Sequence, residues 1–166
     1  MELYFLRHGI AVEHEEWGMN PDSERPLTEE GIAKLKKAAL GMERMGLSFD
    51  RVISSPYTRA LETVKIVIKS LDLGSKLEVS EALVPDASFD DFLKLISKAG
   101  SKDKYFVVGH EPSMSAFIGR LITGAKGASI NMRKGGLARV DGGMEGNSFA
   151  GTLEWILTPR QIRAQA

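Results

Sequence analysis

Two short apolar runs, each stopping abruptly at a histidine, constrain this chain more than any other feature. Leu3-Tyr4-Phe5-Leu6 gives way to Arg7-His8-Gly9, and Tyr105-Phe106-Val107-Val108 gives way to Gly109-His110. Short apolar runs bounded by turn formers read as strands buried on both faces, and parallel strands of like direction end on one common edge. The chain has three histidines, His8, His14 and His110. A lone histidine at a strand end is more often packed than reactive, but His8 and His110 repeat one pattern and are expected to meet at that edge.

The rest of the chain alternates between strand and helix signals. The segment from Ile10 to Arg25, with the charged cluster Glu13-His14-Glu15-Glu16, reads as a long loop over the strand edge. Thr28 then caps a helix with Glu29 and Glu30 in its first turn, Gly31 allowing a close approach, and Ile32, Leu35, Ala38, Ala39 and Met42 at helical spacing. Phe49 to Ser54 reads as a strand turning at Ser55-Pro56 into a helix that carries Arg59 near its start. Leu77 to Val79 is a brief strand, Asp90 to Ile96 a helix, and Met114, Phe117, Ile118 and Leu121 mark one face of another helix. Ala128 to Arg133 reads as a loop. Lys134 to Val140 and Thr152 to Leu157 read as an antiparallel pair around a glycine-rich bend, Asp141 to Asn147. The expected architecture is α/β: a three-layer α/β/α sandwich with a mostly parallel sheet and an antiparallel edge.

Several function classes are excluded by composition. Lys+Arg and Asp+Glu balance at 22 each, leaving no electrostatic footprint for nucleic acid or an anionic membrane. With no cysteine there is no disulfide, thiolate nucleophile or Cys-based zinc site. No span-length apolar stretch and no signal peptide are seen, so a cytoplasmic location is expected. The 166 residues suit a single domain, 1–166.

The strand ends deliver Arg7 and His8, then Ser54-Ser55 followed by Arg59 on a helix start, then His110. Two guanidiniums and two imidazoles at a helix N-terminus describe a pocket for a dianion, and phosphate matches paired arginine forks. An imidazole can itself attack phosphorus, giving a phosphohistidine that water then breaks, with the cations stabilising the transition state. No metal or cofactor is expected, and His14 lacks a second ligand at a usual spacing.

Four motifs in order carry a resemblance. Leu6-Arg7-His8-Gly9, Arg25-Pro26-Leu27-Thr28 with Gly31, Ser54-Ser55-Pro56 with Arg59-Ala60 and Glu62-Thr63, and Val108-Gly109-His110 resemble the histidine phosphatase superfamily, the phosphoglycerate-mutase-like group. Small size and Gly109-His110-Glu111-Pro112 resemble its SixA-type phosphohistidine phosphatases. The resemblance implies His8 as nucleophile, Arg7 and Arg59 as phosphate binders and His110 completing the pocket, with Ser54 and Glu111 at substrate-binding positions. Larger members place an acid after the third strand to protonate the leaving oxygen. Here Pro85 stands at that place, and Asp86 and Glu81 are the candidate general acids. An ester oxygen leaves poorly without an acid, whereas an imidazole with a reference pKa of about 6.5 can depart neutral. Glu111 departs from the asparagine common in the SixA type.

The expected function is removal of phosphate from a phosphorylated histidine of a signalling or phosphotransfer protein. The alternatives are a phosphatase for a small phosphorylated molecule and a non-catalytic phosphate-binding protein. Nucleic acid and membrane are not expected partners.

Overall fold

In the computed structural model, which describes residues 1–74, 77–98, 100, 103–124 and 127–166, the elements run β1 (Glu2–Arg7), α1 (His14–Trp17), α2 (Glu29–Arg44), β2 (Arg51–Ser54), α3 (Thr58–Ser70), β3 (Leu77–Val79), α4 (Phe89–Ile96), β4 (Lys104–Gly109), α5 (Ser113–Thr123), β5 (Leu137–Glu145), β6 (Ser148–Leu157) and α6 (Pro159–Arg163). The six strands form one sheet in the order β3-β2-β4-β1-β5-β6. β3, β2, β4 and β1 pair in parallel, while β5 runs antiparallel to both β1 and β6.

Strand pleat divides the apolar runs between two cores. Leu3 and Phe5 of β1, Ile53 of β2, and Tyr105 and Val107 of β4 face Phe92 and Ile96 of α4 and Met114, Phe117 and Leu121 of α5. Their neighbours Tyr4, Leu6, Val52, Phe106 and Val108 face Ala38 and Met42 of α2, Val64 and Val67 of α3 and Ile162 of α6. Both faces of the central strands are covered. That explains why the sequence shows unbroken apolar runs there instead of alternation, and the result is the expected three-layer α/β/α sandwich. No helix among the described residues is long and apolar enough to cross a membrane.

Thr28 caps α2 by accepting from the Gly31 amide at 3.0 Å. A Cβ on Gly31 would sit 2.1 Å from the Ile10 carbonyl oxygen, so glycine allows α2 to press against the segment leaving His8.

Two expectations are corrected. The segment 10–25 is not one loop: it holds α1 and a 3-10 turn, Asp22–Glu24, fixed by bonds from Trp17 Nε1 to the Pro21 carbonyl and from Arg25 Nη1 to the Val12 carbonyl. These turns are too short to show periodicity. The glycine-rich stretch is not a bend either, because Gly142 and Gly143 lie within β5 and the chain reverses only around Gly146. A Cβ on Gly142 would meet the Ala150 carbonyl oxygen at 2.3 Å and the Phe149 ring at 2.6 Å; Gly142 makes room for the backbone and ring of the paired strand rather than for a turn.

Candidate active site

Three adjacent parallel strands, β2, β4 and β1, end level with one another, with Ser54 opposite Val108 and Arg7 opposite Gly109. The ladder continues one step further: the His8 amide donates to the Gly109 carbonyl at 3.0 Å and the Ser55 amide to that of Val108 at 2.9 Å. His8, Ser55 and His110 thus reach the same edge. The two imidazole centroids are 5.0 Å apart, as the paired strand endings required.

The His8 ring is 5% exposed, with Nδ1 2.7 Å from the Gly9 carbonyl oxygen. A carbonyl can only accept, so Nδ1 carries the proton and Nε2 holds the free lone pair. The Gly9 amide donates to Thr63 Oγ1 at 3.1 Å, and that hydroxyl donates to the Arg59 carbonyl at 2.7 Å. One threonine therefore ties the turn behind His8 to the helix that carries Arg59. The neighbouring Glu62 accepts from the Leu27 amide at 2.7 Å, which joins two of the sequence motifs physically.

His110 is 1% exposed, and its Nε2 lies 2.8 Å from Ser55 Oγ. Ser55 Oγ already accepts from the Tyr57 amide. Among the described residues the buried Ser55 hydroxyl has no other acceptor for its proton, which therefore goes to His110 Nε2 and leaves the ring proton on Nδ1. The sequence reading put Ser54 in the pocket; the structure gives that place to Ser55. Ser54 is fully buried and donates to the Ser55 carbonyl at 3.0 Å, because consecutive residues at a strand end point to opposite sides.

Burial pushes the pKa of His8 down to about 3 and that of His110 down to about 2, and the nearby Arg59, Arg7 and Arg25 charges push the same way. Both rings are neutral at pH 7, and His8 is in its nucleophilic form. The linkage has a definite sign. Below the unfolded value of about 6.5 the unfolded chain takes up protons that the folded chain refuses, so stability falls with pH, by up to about 1.4 kcal/mol per unit for each histidine. Urea unfolding midpoints are expected to fall from pH 7 to pH 5, and to fall less in His110→Asn; a flat profile contradicts buried neutral histidines.

Arg59, in the first turn of α3, is 3% exposed. Its Nη1 donates to the Asp22 carbonyl at 2.7 Å and its Nη2 to Asp22 Oδ2 at 2.9 Å, while Arg25 Nε holds Asp22 Oδ1 at 2.9 Å. Arg7 spends Nη1 on the Met132 carbonyl at 2.8 Å. Burial lowers the pKa of both guanidiniums, though arginine remains charged. Among the described residues, three buried nitrogens have no hydrogen-bond partner: Arg7 Nε, Arg59 Nε and His110 Nδ1. All three are donors, and such groups are seldom left unmet in an interior. An oxyanion would satisfy them.

Asp22 was missed by sequence reasoning. It lies 37 positions from Arg59, and its one local signal is proximity to the Arg25 motif. Loss of its charge should loosen Arg59, while its own repulsion of an anion is already offset by two guanidiniums. Asp22→Asn is expected to lower kcat/KM about tenfold, close to the worth of one charge-assisted bond at a part-exposed site; unchanged kinetics would remove Asp22 from this role.

Glu111 is half-buried and accepts from Ser115 Oγ at 2.9 Å. Burial raises its pKa, against the Ser115 bond and the Arg7 charge. Glu81 begins a 3-10 turn, Glu81–Leu83, and both it and Asp86 are exposed. Neither carboxylate has a hydrogen bond or ion pair among the described residues. His14 is exposed on α1.

The sequence model of the histidine phosphatase superfamily (branch 1) matches residues 3–84. Phosphohistidine phosphatase SixA of Escherichia coli is 26% identical over 166 residues, covering 98% of this chain and 97% of that protein. The SixA homolog of Haemophilus influenzae is 32% identical over 131 residues, 73% of this chain and 77% of its own. The solved structure of the protein histidine phosphatase SixA complexed with tungstate matches with a TM-score of 0.79 at 26% identity, covering 96% of this chain and 98% of the other. Sequence, fold and the meeting of His8 with His110 agree, and the chain belongs to the histidine phosphatase superfamily as a phosphatase of the SixA type.

Proposed function

We propose that the protein removes the phosphoryl group from a phosphorylated histidine of a signalling or phosphotransfer protein, through a covalent phosphohistidine on His8. The observation that carries this reading is the neutral His8 ring, its Nδ1 proton held by Gly9 and its Nε2 free, beside three unpartnered buried donors. Nε2 attacks phosphorus as the P–N bond to the substrate imidazole breaks. That ring already carries a proton on its other nitrogen and leaves neutral. Water then attacks the same phosphorus, the P–N bond to His8 breaks, and inorganic phosphate departs. Arg7 and Arg59 supply the positive charge along this path, so no metal takes part.

The exposure of Glu81 and Asp86 favours an N–P substrate, because neither carboxyl is held by a partner that would aim it at a leaving oxygen. SixA, whose solved structure is a complex with tungstate, takes an oxyanion, which supports an oxyanion as the ligand here.

The test is phosphate release from a phosphohistidine-bearing phosphotransfer protein and from a simple phosphoester, side by side, in the presence of a chelator. Turnover of the phosphohistidine protein alone is expected. Preference for the ester would overturn the N–P reading and turn attention to Glu81 and Asp86.

A further inference from the structure

A cavity of 730 Å³ opens behind Arg7, between the first turns of α2, the loop before β5 and the α6 segment. Its lining contains six cationic side chains, Arg7, Lys34, Arg133, Lys134, Arg160 and Arg163, and no carboxylate. The whole chain balances its charges at 22 against 22, so this separation is local. His8, Arg59 and His110 do not line the cavity; it lies beside the catalytic edge and shares with it Arg7 and the backbone of Gly9.

Three of the cations have partners. Lys34 pairs with Glu30, Lys134 with Glu13 at 3.2 Å, and Arg7 donates to the Met132 carbonyl. Arg133, Arg160 and Arg163 make no side-chain hydrogen bond or ion pair among the described residues. Like charges gathered around one concavity repel each other and raise the local concentration of anions. The remainder of the wall is mostly apolar, with Ile10, Leu35, Ala38 and Pro159 beside the polar Asn131 and Thr158. A concavity of this volume with an apolar floor and a few charged groups is the usual build of a small-molecule site. A flat acidic protein face would leave the floor unfilled, and three unpaired cations are too few to track a nucleic-acid backbone.

We propose that this cavity is a second binding site, for a nucleoside polyphosphate or an organic polyphosphate of the same build. The phosphates pair with Arg133, Arg160 and Arg163, and the flat apolar body rests on Ile10, Leu35 and Pro159. The inference does not depend on the phosphohistidine reading, since none of these residues serves that reaction.

The test is calorimetric titration of the full chain with ATP, tripolyphosphate and adenosine in turn, under saturating inorganic phosphate to occupy the catalytic edge. ATP is expected to bind in the presence of phosphate, more tightly than tripolyphosphate, and adenosine not to bind. The double variant Arg160→Glu, Arg163→Glu is expected to weaken ATP about tenfold or more while leaving phosphatase turnover unchanged. If that variant fails to fold, Arg133→Ala, at an exposed loop position, gives the same comparison with a smaller loss. Absence of ATP binding, its displacement by inorganic phosphate, equal affinity for tripolyphosphate, or unchanged affinity in the folded variants would each overturn the proposal.

Discussion

Phosphate release from a phosphohistidine protein by His8→Ala is expected to fall by about four to six orders of magnitude, the scale of loss when a covalent nucleophile is removed. No nearby group can replace it. Nε2 of His110 is engaged by Ser55, and the chain has no cysteine. With a labelled phosphoryl donor, the parent protein should trap an acid-labile, alkali-stable phosphoenzyme on rapid quenching, and the variant none. Truncating a buried ring also leaves the Gly9 carbonyl without its donor, so the far-ultraviolet circular dichroism of the variant should be compared with the parent's. A folded variant that keeps turnover would move the nucleophile elsewhere and return the site to simple phosphate binding.

Arg59→Ala is expected to lower kcat/KM by about two to three orders of magnitude, as loss of a donor aimed at developing charge does elsewhere. Stability should move far less than activity, because the cost of burying the guanidinium offsets its two bonds to Asp22, which Arg25 still holds. A buried cation whose Nε has no partner is expensive to keep, and alanine is a good residue inside a helix. Activity and stability moving apart would mark Arg59 as held for function, because a purely structural residue would lose both together. Arg59→Lys should recover little of the loss. One ammonium cannot hold the Asp22 carbonyl and carboxylate and still present a donor to phosphate. Wild-type kinetics in Arg59→Lys would mean that charge alone matters and that the Asp22 clamp is incidental.

The same residues separate what is local from what is not. Unbroken apolar runs at Leu3–Leu6 and Tyr105–Val108 announce strands covered on both faces, and the two cores divide them by pleat. The histidines behind those runs mark the reactive edge because like-directed parallel strands have no other way to end. Thr28, Gly31 and the helical spacing after them are equally legible, since capping and periodicity act within a few residues. That much follows from the chain alone, read through interactions between near neighbours.

Tertiary structure decided the remainder. Ser54 and Ser55 are chemically identical and adjacent, and only the point at which β2 leaves the pleat determines that Ser55 meets His110. Asp22 has no local signature for its hold on Arg59, because the two are brought together by a turn fixed through Trp17 and Arg25. Gly142 looks like a turn former until the Phe149 ring is seen to need its space. The basic cavity gathers Lys34, Arg133 and Arg160 from distant parts of the chain. Propensity and periodicity report on neighbours along the chain, whereas electrostatic fields and packed volumes depend on which distant segments the fold makes adjacent.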